Sequence, residues 1–350
     1  MLFNIHKRFG ACTAVRAVLF LKLPRFFDFL TREKYFCPMK KQMINLSLIL
    51  KGMAMGIAEV IPGVSGGTIA FITGIYETLI DTIKAFDPSL ISMYKKEGFR
   101  GVWSAINGNF LLNLLAGMAL GVVVGVFGVV HLLKTYPLLL WAFFFGLIVA
   151  SFLYIGRQVG KWNASTIFPL IVGALVAWYI TVASPAQGNE ALWFVFISGL
   201  IAISALMLPG ISGSFMLLLM GMYTIIIPTV KDALSTLNPH SLLTLLAFGA
   251  GCLVGLVTFS RVLSWTFKRY HDQTMALLTG FVVGSLNKLW PWRKVLEYRE
   301  NSRGELVPFI EKNLWPSQYE GDPMITGVLI AMIAGFLLVF FLEKMDPKTT

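Results

Sequence analysis

Two short stretches of this 350-residue chain hold the residue types that bind an oxyanion. The first runs Pro62-Gly63-Val64-Ser65-Gly66-Gly67-Thr68 and the second Pro209-Gly210-Ile211-Ser212-Gly213-Ser214. Proline and glycine end the preceding apolar helix. A helix that restarts beyond such a break offers free backbone N–H groups at its positive end, where an anion is favoured. Glycine lets the backbone approach a phosphate oxygen, and serine and threonine hydroxyls add donors. The candidate phosphate ligands are therefore Ser65, Gly66, Gly67, Thr68, Ser212, Gly213 and Ser214. The competing reading is that these residues only permit a tight hairpin. Two matched breaks, rather than one, favour the binding role. Glu59, three residues before Pro62, is an ionisable side chain inside apolar sequence. Such a group is expensive at membrane depth and is a candidate to carry a coupling proton, with a structural cap as the alternative.

The elements that must position these residues are membrane helices. Hydrophobic residues make up 56% of the chain and charged residues 13%, against about a quarter in soluble domains. Apolar runs of spanning length fall at Phe110–Val130, Leu138–Ile155, Ile167–Ala183, Leu242–Trp265, Met275–Leu289 and Ile325–Leu342. Two further apolar segments, Ile44–Phe86 and Trp193–Leu234, are interrupted by the two breaks. Broken backbone at membrane depth must be buried in protein or face a polar cavity.

The breaks belong to an internal repeat. Aligning Pro62 with Pro209 also aligns Gly52 with Gly199, Ala58 with Ala205, Gly74 with Gly221, Tyr76 with Tyr223 and Lys84 with Lys231. Glu59 falls opposite Leu206 and is not repeated. Basic residues set the sidedness: an arm with nine Lys/Arg in residues 1–44, then Lys95, Lys96 and Arg100, then Arg157 and Lys161. Arm and first loop share the cytoplasmic side only if the first broken segment dips in and returns. The expected fold is thus an all-α integral membrane protein of two inverted-topology repeats. Each repeat is a re-entrant helical hairpin plus two transmembrane helices, with a linking and a C-terminal transmembrane helix and both termini cytoplasmic. Repeat one takes 45–160, the linking helix 161–185, repeat two 192–290, an outer loop 291–323 and the last helix 324–342, within one transmembrane domain of 45–344. The arm 1–44 is read either as an amphipathic inner-leaflet segment or as a disordered basic anchor. Inverted repeats with broken helices are the architecture of alternating-access carriers.

The remaining residues narrow the chemistry. The net charge of +11 collects at the ends of apolar segments, so it reads as membrane orientation and not nucleic-acid binding. Cys12, Cys37 and Cys252 have no metal-ligand or disulfide spacing. No catalytic group, cofactor or metal is expected. Lys84, Lys231 and Arg261 are candidates to meet a lipid head group. Glu77, Asp81 and Lys84 share a helix face, where an interfacial ion ladder is the plainer role.

The stretch from Lys51 to Glu77, with its Glu59-Val60-Ile61-Pro62-Gly63-Val64-Ser65-Gly66-Gly67-Thr68 centre, closely resembles the bacterial polyprenyl-phosphate transporter family. The stretch Leu208–Phe215, with Gly221 and Tyr223, resembles its second signature. The resemblance covers roughly Lys51 to Lys344. It implies a multi-pass protein of the bacterial cytoplasmic membrane that returns undecaprenyl phosphate from the outer to the cytoplasmic leaflet, for cell-wall and surface-polysaccharide synthesis. The implied partners are that lipid and the surrounding membrane lipids. A second resemblance, to integral-membrane undecaprenyl-pyrophosphate phosphatases, is poorer. Their motif carries arginine where this chain has Gly66 and Gly213, and their paired glutamates are absent. Without that charge, phosphoryl transfer is poorly supported, although phosphate binding is not.

Overall fold

A computed structural model describes residues 44–61, 64–236, 238–300 and 306–344. Most of the basic arm, together with Pro62 and Gly63 of the first break, lies outside the described residues.

The chain is mostly helical. Helix α1 (Leu46–Val60) starts where the Asn45 side chain accepts from the Leu48 N–H, and it runs to the first break. Beyond the break come α2 (Gly66–Ile72) and α3 (Tyr76–Lys84). Helix α4 (Ser89–Ala105) is kinked at Gly98, whose φ of 65° favours glycine. Helix α5 (Gly108–Val124) passes through a π-helical turn at Gly125–Val129 into α6 (Val130–Thr135). Then follow α7 (Pro137–Gly156), begun by its proline, and α8 (Ala164–Val182), begun by an Asn163–Thr166 capping box. The second half contains α9 (Leu192–Met207), α10 (Gly213–Leu219), α11 (Tyr223–Thr236), α12 (Pro239–Arg269) and α13 (His271–Leu289). The final helix is α14 (Ile325–Lys344).

Among the described residues, four stretches are long and apolar enough to cross a membrane: Gly108–Leu133, Pro137–Gly156, Ala164–Val182 and Pro239–Arg269. A fifth is added if α10 and α11, which meet at 113°, count as one broken span. Helix α13 is long enough but carries Asp272 and Lys288 at its ends. The apolar part of α14 among the described residues, Ile325–Phe340, is shorter.

The long helices pair by one recurring device, glycine set against a neighbouring backbone. A Cβ on Gly117 or Gly121 would lie 2.1 or 2.0 Å from the Ile49 or Met53 carbonyl, joining α5 to α1. Gly251 against the Phe196 carbonyl joins α12 to α9 in the matched position. Gly280 against Leu170 joins α13 to α8, and Gly335 against Phe143 joins α14 to α7. Small residues let helix backbones approach where no hydrophobic effect drives them together.

The segment 291–323, expected as a plain loop, contains an antiparallel hairpin of β1 (Arg293–Glu300) and β2 (Leu306–Asn313), with Arg293 opposite Asn313. It is pinned to the end of α13. The Asn313 amide donates to the Asn287 carbonyl at 2.8 Å, and the Trp290 indole donates to the Leu314 carbonyl at 2.8 Å.

Candidate functional site: two docked helix breaks

The two breaks share a backbone design. In each, one hydrogen bond spans the break: Val64 N–H to the Ile61 carbonyl at 3.2 Å, and Ile211 N–H to the Leu208 carbonyl at 3.4 Å, the latter closing a Pro-Gly turn. Gly210 has φ 83°, the conformation that turn asks of its third residue. The short helices that follow end alike. Ile75 N–H reaches the Ala70 carbonyl and Gly74 N–H the Phe71 carbonyl; Met222 reaches Leu217 and Gly221 reaches Leu218. Gly74 (φ 69°) and Gly221 (φ 67°) are thus the left-handed caps of two equivalent helix ends, which explains their match in the sequence.

The breaks also touch. The Thr68 hydroxyl oxygen accepts from the Gly210 N–H at 2.8 Å, across 142 residues of chain. The Tyr76 hydroxyl, on a buried ring edge-on to Phe71 and Phe267, donates to the Met207 carbonyl at 2.5 Å. A Cβ on Gly67 would lie 3.0 Å from the Leu206 carbonyl, so glycine there permits the contact.

The two differ in what fills them. At the first, the Glu59 carboxylate accepts from the Gly66 N–H at 2.8 Å, and the Ser65 hydroxyl accepts from the Gly67 N–H at 3.1 Å. Both groups at the start of α2 therefore have an internal partner, and a carboxylate occupies the anion position. Ser65 and Thr68 are buried. At the second, Leu206 stands where the first has Glu59, and no side chain caps α10. Ser212 and Ser214 hydroxyls lie 3.0 Å apart, bonded to each other, with Ser214 exposed. Gly213 backs against α9, where a Cβ would lie 2.5 Å from the Ala202 carbonyl. Gly66 and Gly213 are thus packing residues as well as candidate ligands.

The other candidates lie elsewhere. Lys84 donates to the Ser264 hydroxyl at 3.2 Å, and Ser264 donates to Asp81 at 2.8 Å, tying α3 to α12. Glu77 meets His271 at 3.2 Å on the same side. These three face residues form links between helices and not a ladder along one. Arg261 is exposed, and its charge helps the Ser89 side chain and backbone hold Asp87 below the usual carboxylate range. The Lys231 side chain lies outside the described residues. Among the described residues, no group of three or more His, Cys, Asp or Glu is placed to hold a metal.

Sequence reasoning missed a second polar cluster. Glu311 Oε2 receives Lys288 Nζ at 3.1 Å and Arg293 Nη1 at 2.8 Å, while the Arg293 guanidinium stacks on Trp141 at 4.1 Å. The signal was two strand-like runs around Asn301-Ser302-Arg303-Gly304, a turn composition.

Helices joined by glycine seams around two docked, oppositely filled breaks define a polytopic helical membrane protein. Residues 55–307 match the family described as undecaprenyl phosphate translocase-like, and the chain belongs to that family. A Vibrio cholerae protein named polyprenyl-phosphate transporter is 45% identical over 312 residues, which is 88% of this chain and 99% of the relative. A Staphylococcus aureus protein of the same name is 34% identical over 257 residues, 69% of this chain and 85% of the relative. No solved structure matches the chain.

Proposed function

We propose that this chain translocates polyprenyl phosphate, returning the carrier lipid to the cytoplasmic leaflet of the bacterial inner membrane. The observation that carries the reading is the Thr68–Gly210 contact, which joins the two breaks into one locus in a member of this family. The lipid phosphate is held by Ser212, Gly213 and Ser214 at the open break. At the other break it competes with Glu59 for the Gly66 N–H, beside Ser65, Gly67 and Thr68. Exchange of Glu59 between the Gly66 N–H and a proton links the locus to a gradient. Lys84 and Arg261 meet the head group at the cytoplasmic surface, and Lys231 does so on the other side.

The halves are inverted repeats with re-entrant hairpins, giving six crossings with α13 and α14 included and both termini cytoplasmic. The domain bounds we assign are 1–44 for the arm and 45–344 for the transmembrane domain. Glycine at 66 and 213 and a solitary Glu59 equip the locus for binding rather than hydrolysis, and both relatives are named as transporters.

Reconstituted liposomes that report both lipid sidedness and phosphate release test the function. Movement of polyprenyl phosphate without phosphate release is expected; release of phosphate would turn the reading to hydrolysis. Cysteines placed at Ser92 and Asn189, both exposed, should label from opposite sides of the membrane. Labelling from one side would overturn the inverted repeat.

A further inference from the structure

A cavity of about 290 Å³ lies between α8, α10, the end of α13 and the β1–β2 hairpin. Its lining includes Lys288, Arg293, Lys312 and a single carboxylate, Glu311, so cations outnumber anions three to one. Phe215, Leu218 and Leu219 of α10 and Leu296 of β1 supply an apolar wall. Phe215 follows Ser214 directly, and Lys288 Nζ sits 5.2 Å from its ring centre. The cavity is therefore continuous in chain with the open break. Trp290, Trp292 and Trp315 cluster beside it, with Phe145 against Trp290. Trp is enriched at the level of lipid head groups, and Trp315 of this cluster is exposed.

From these observations we infer that this cavity is a docking site for the phosphate monoester head of a lipid, reached before the breaks. The inference rests on the proposed translocation and names the place where the substrate is first held. Lys288 has three donors, of which Glu311 takes one, and the side chain is partly exposed. Arg293 is nearly buried and fixed by Glu311, the Lys288 carbonyl and Trp141, so it supplies a preset charge. Lys288 turns from Glu311 to the incoming phosphate, and the wall formed by Phe215, Leu218 and Leu219 takes the first part of the lipid chain. A free phosphate has no use for that wall, and this separates the two sources of the same head-group chemistry.

The test measures binding of polyprenyl phosphate, and separately of inorganic phosphate, to the full chain in nanodiscs. Lys288→Gln combined with Lys312→Gln should weaken lipid-phosphate binding by about tenfold or more, since charge-assisted bonds are lost. Lys288→Arg should restore most of it. Lys294→Gln is the control: Lys294 is on the same hairpin but pairs with Glu320. Melting temperature is followed throughout, because Lys288 also helps fasten the hairpin. Binding unchanged in the double variant, with wild-type binding intact, overturns the docking site and leaves the proposed function standing. Loss of binding only in step with loss of folding overturns it too. Inorganic phosphate bound as tightly as the lipid would reject a lipid site. A wild type that neither binds nor moves polyprenyl phosphate overturns both readings.

Discussion

Replacing Thr68 by valine removes one atom that matters. Valine has the same shape, but the Gly210 N–H then loses its acceptor at 2.8 Å in a site where Thr68 is 2% exposed. An orphaned buried donor costs about 1–3 kcal/mol. With an unfolding entropy of about 2.1 cal/mol/K per residue, a domain of roughly 300 residues loses about 1.6 °C of melting temperature per kcal/mol, so a fall of about 2–5 °C is expected. Thr68→Ser keeps the acceptor and deletes a methyl, which costs ~1 kcal/mol by burial alone. The hydrogen bond predicts that valine, although closer in volume, is the more harmful change or at least equal to serine. Melting in detergent measures this, and amide exchange of a peptide covering 208–212 localises it. Exchange there should accelerate in the valine variant and stay near wild type in the serine variant. If valine melts with wild type and leaves that peptide protected, the two breaks are not held together by Thr68.

Three other outcomes are expected. Ser212→Ala with Ser214→Ala removes two hydroxyls that bond chiefly to each other, so melting should barely move while liposome transport falls several-fold; equal transport would remove them from the phosphate site. Glu59→Gln keeps an acceptor for Gly66 but loses the charge, so folding should persist while the gradient dependence of transport disappears; an unchanged dependence would leave Glu59 as a cap only. Asp232 is held below the usual carboxylate range by the Ser241 and Thr236 hydroxyls, so its contribution to stability is present above the unfolded value of about 3.9 and lost as pH falls through the lower folded value. Asp232→Asn should therefore melt below wild type at neutral pH, and the gap should close in strongly acidic buffer.

The breaks were legible in the sequence because proline and glycine mark backbone geometry directly. Gly74 and Gly221 aligned as letters, and they proved to be equivalent helix caps. The long helices were legible for the same local reason, since apolar length and spanning length are one quantity. The Glu59 bond was half legible: the lone carboxylate stood out, but its partner seven residues on depends on the path of the turn. The Thr68–Gly210 contact was not, because nothing local in either segment signals a partner 142 residues away. The Lys288–Glu311–Arg293 cluster was hidden differently. Its members come from a helix end and two strands, and the two on the strands lie in a segment of nearly balanced charge that composition reads as loop.

The glycine seam between α7 and α14 bears on how the chain is made. Helix α7 ends at Gly156, and its partner begins at Ile325. At roughly 5–20 residues per second, the ribosome delivers the second helix on the order of ten seconds or more after the first. During that interval the backbone groove at Phe143 and Gly146 has no mate, and a groove that admits a bare glycine backbone would also admit a foreign helix. The insertion machinery must therefore shelter α7, or lipid must fill the groove for the time being. A nascent chain arrested before Ile325 should expose Gly146 to crosslinking with translocon or chaperone, and release of the last helix should extinguish that crosslink.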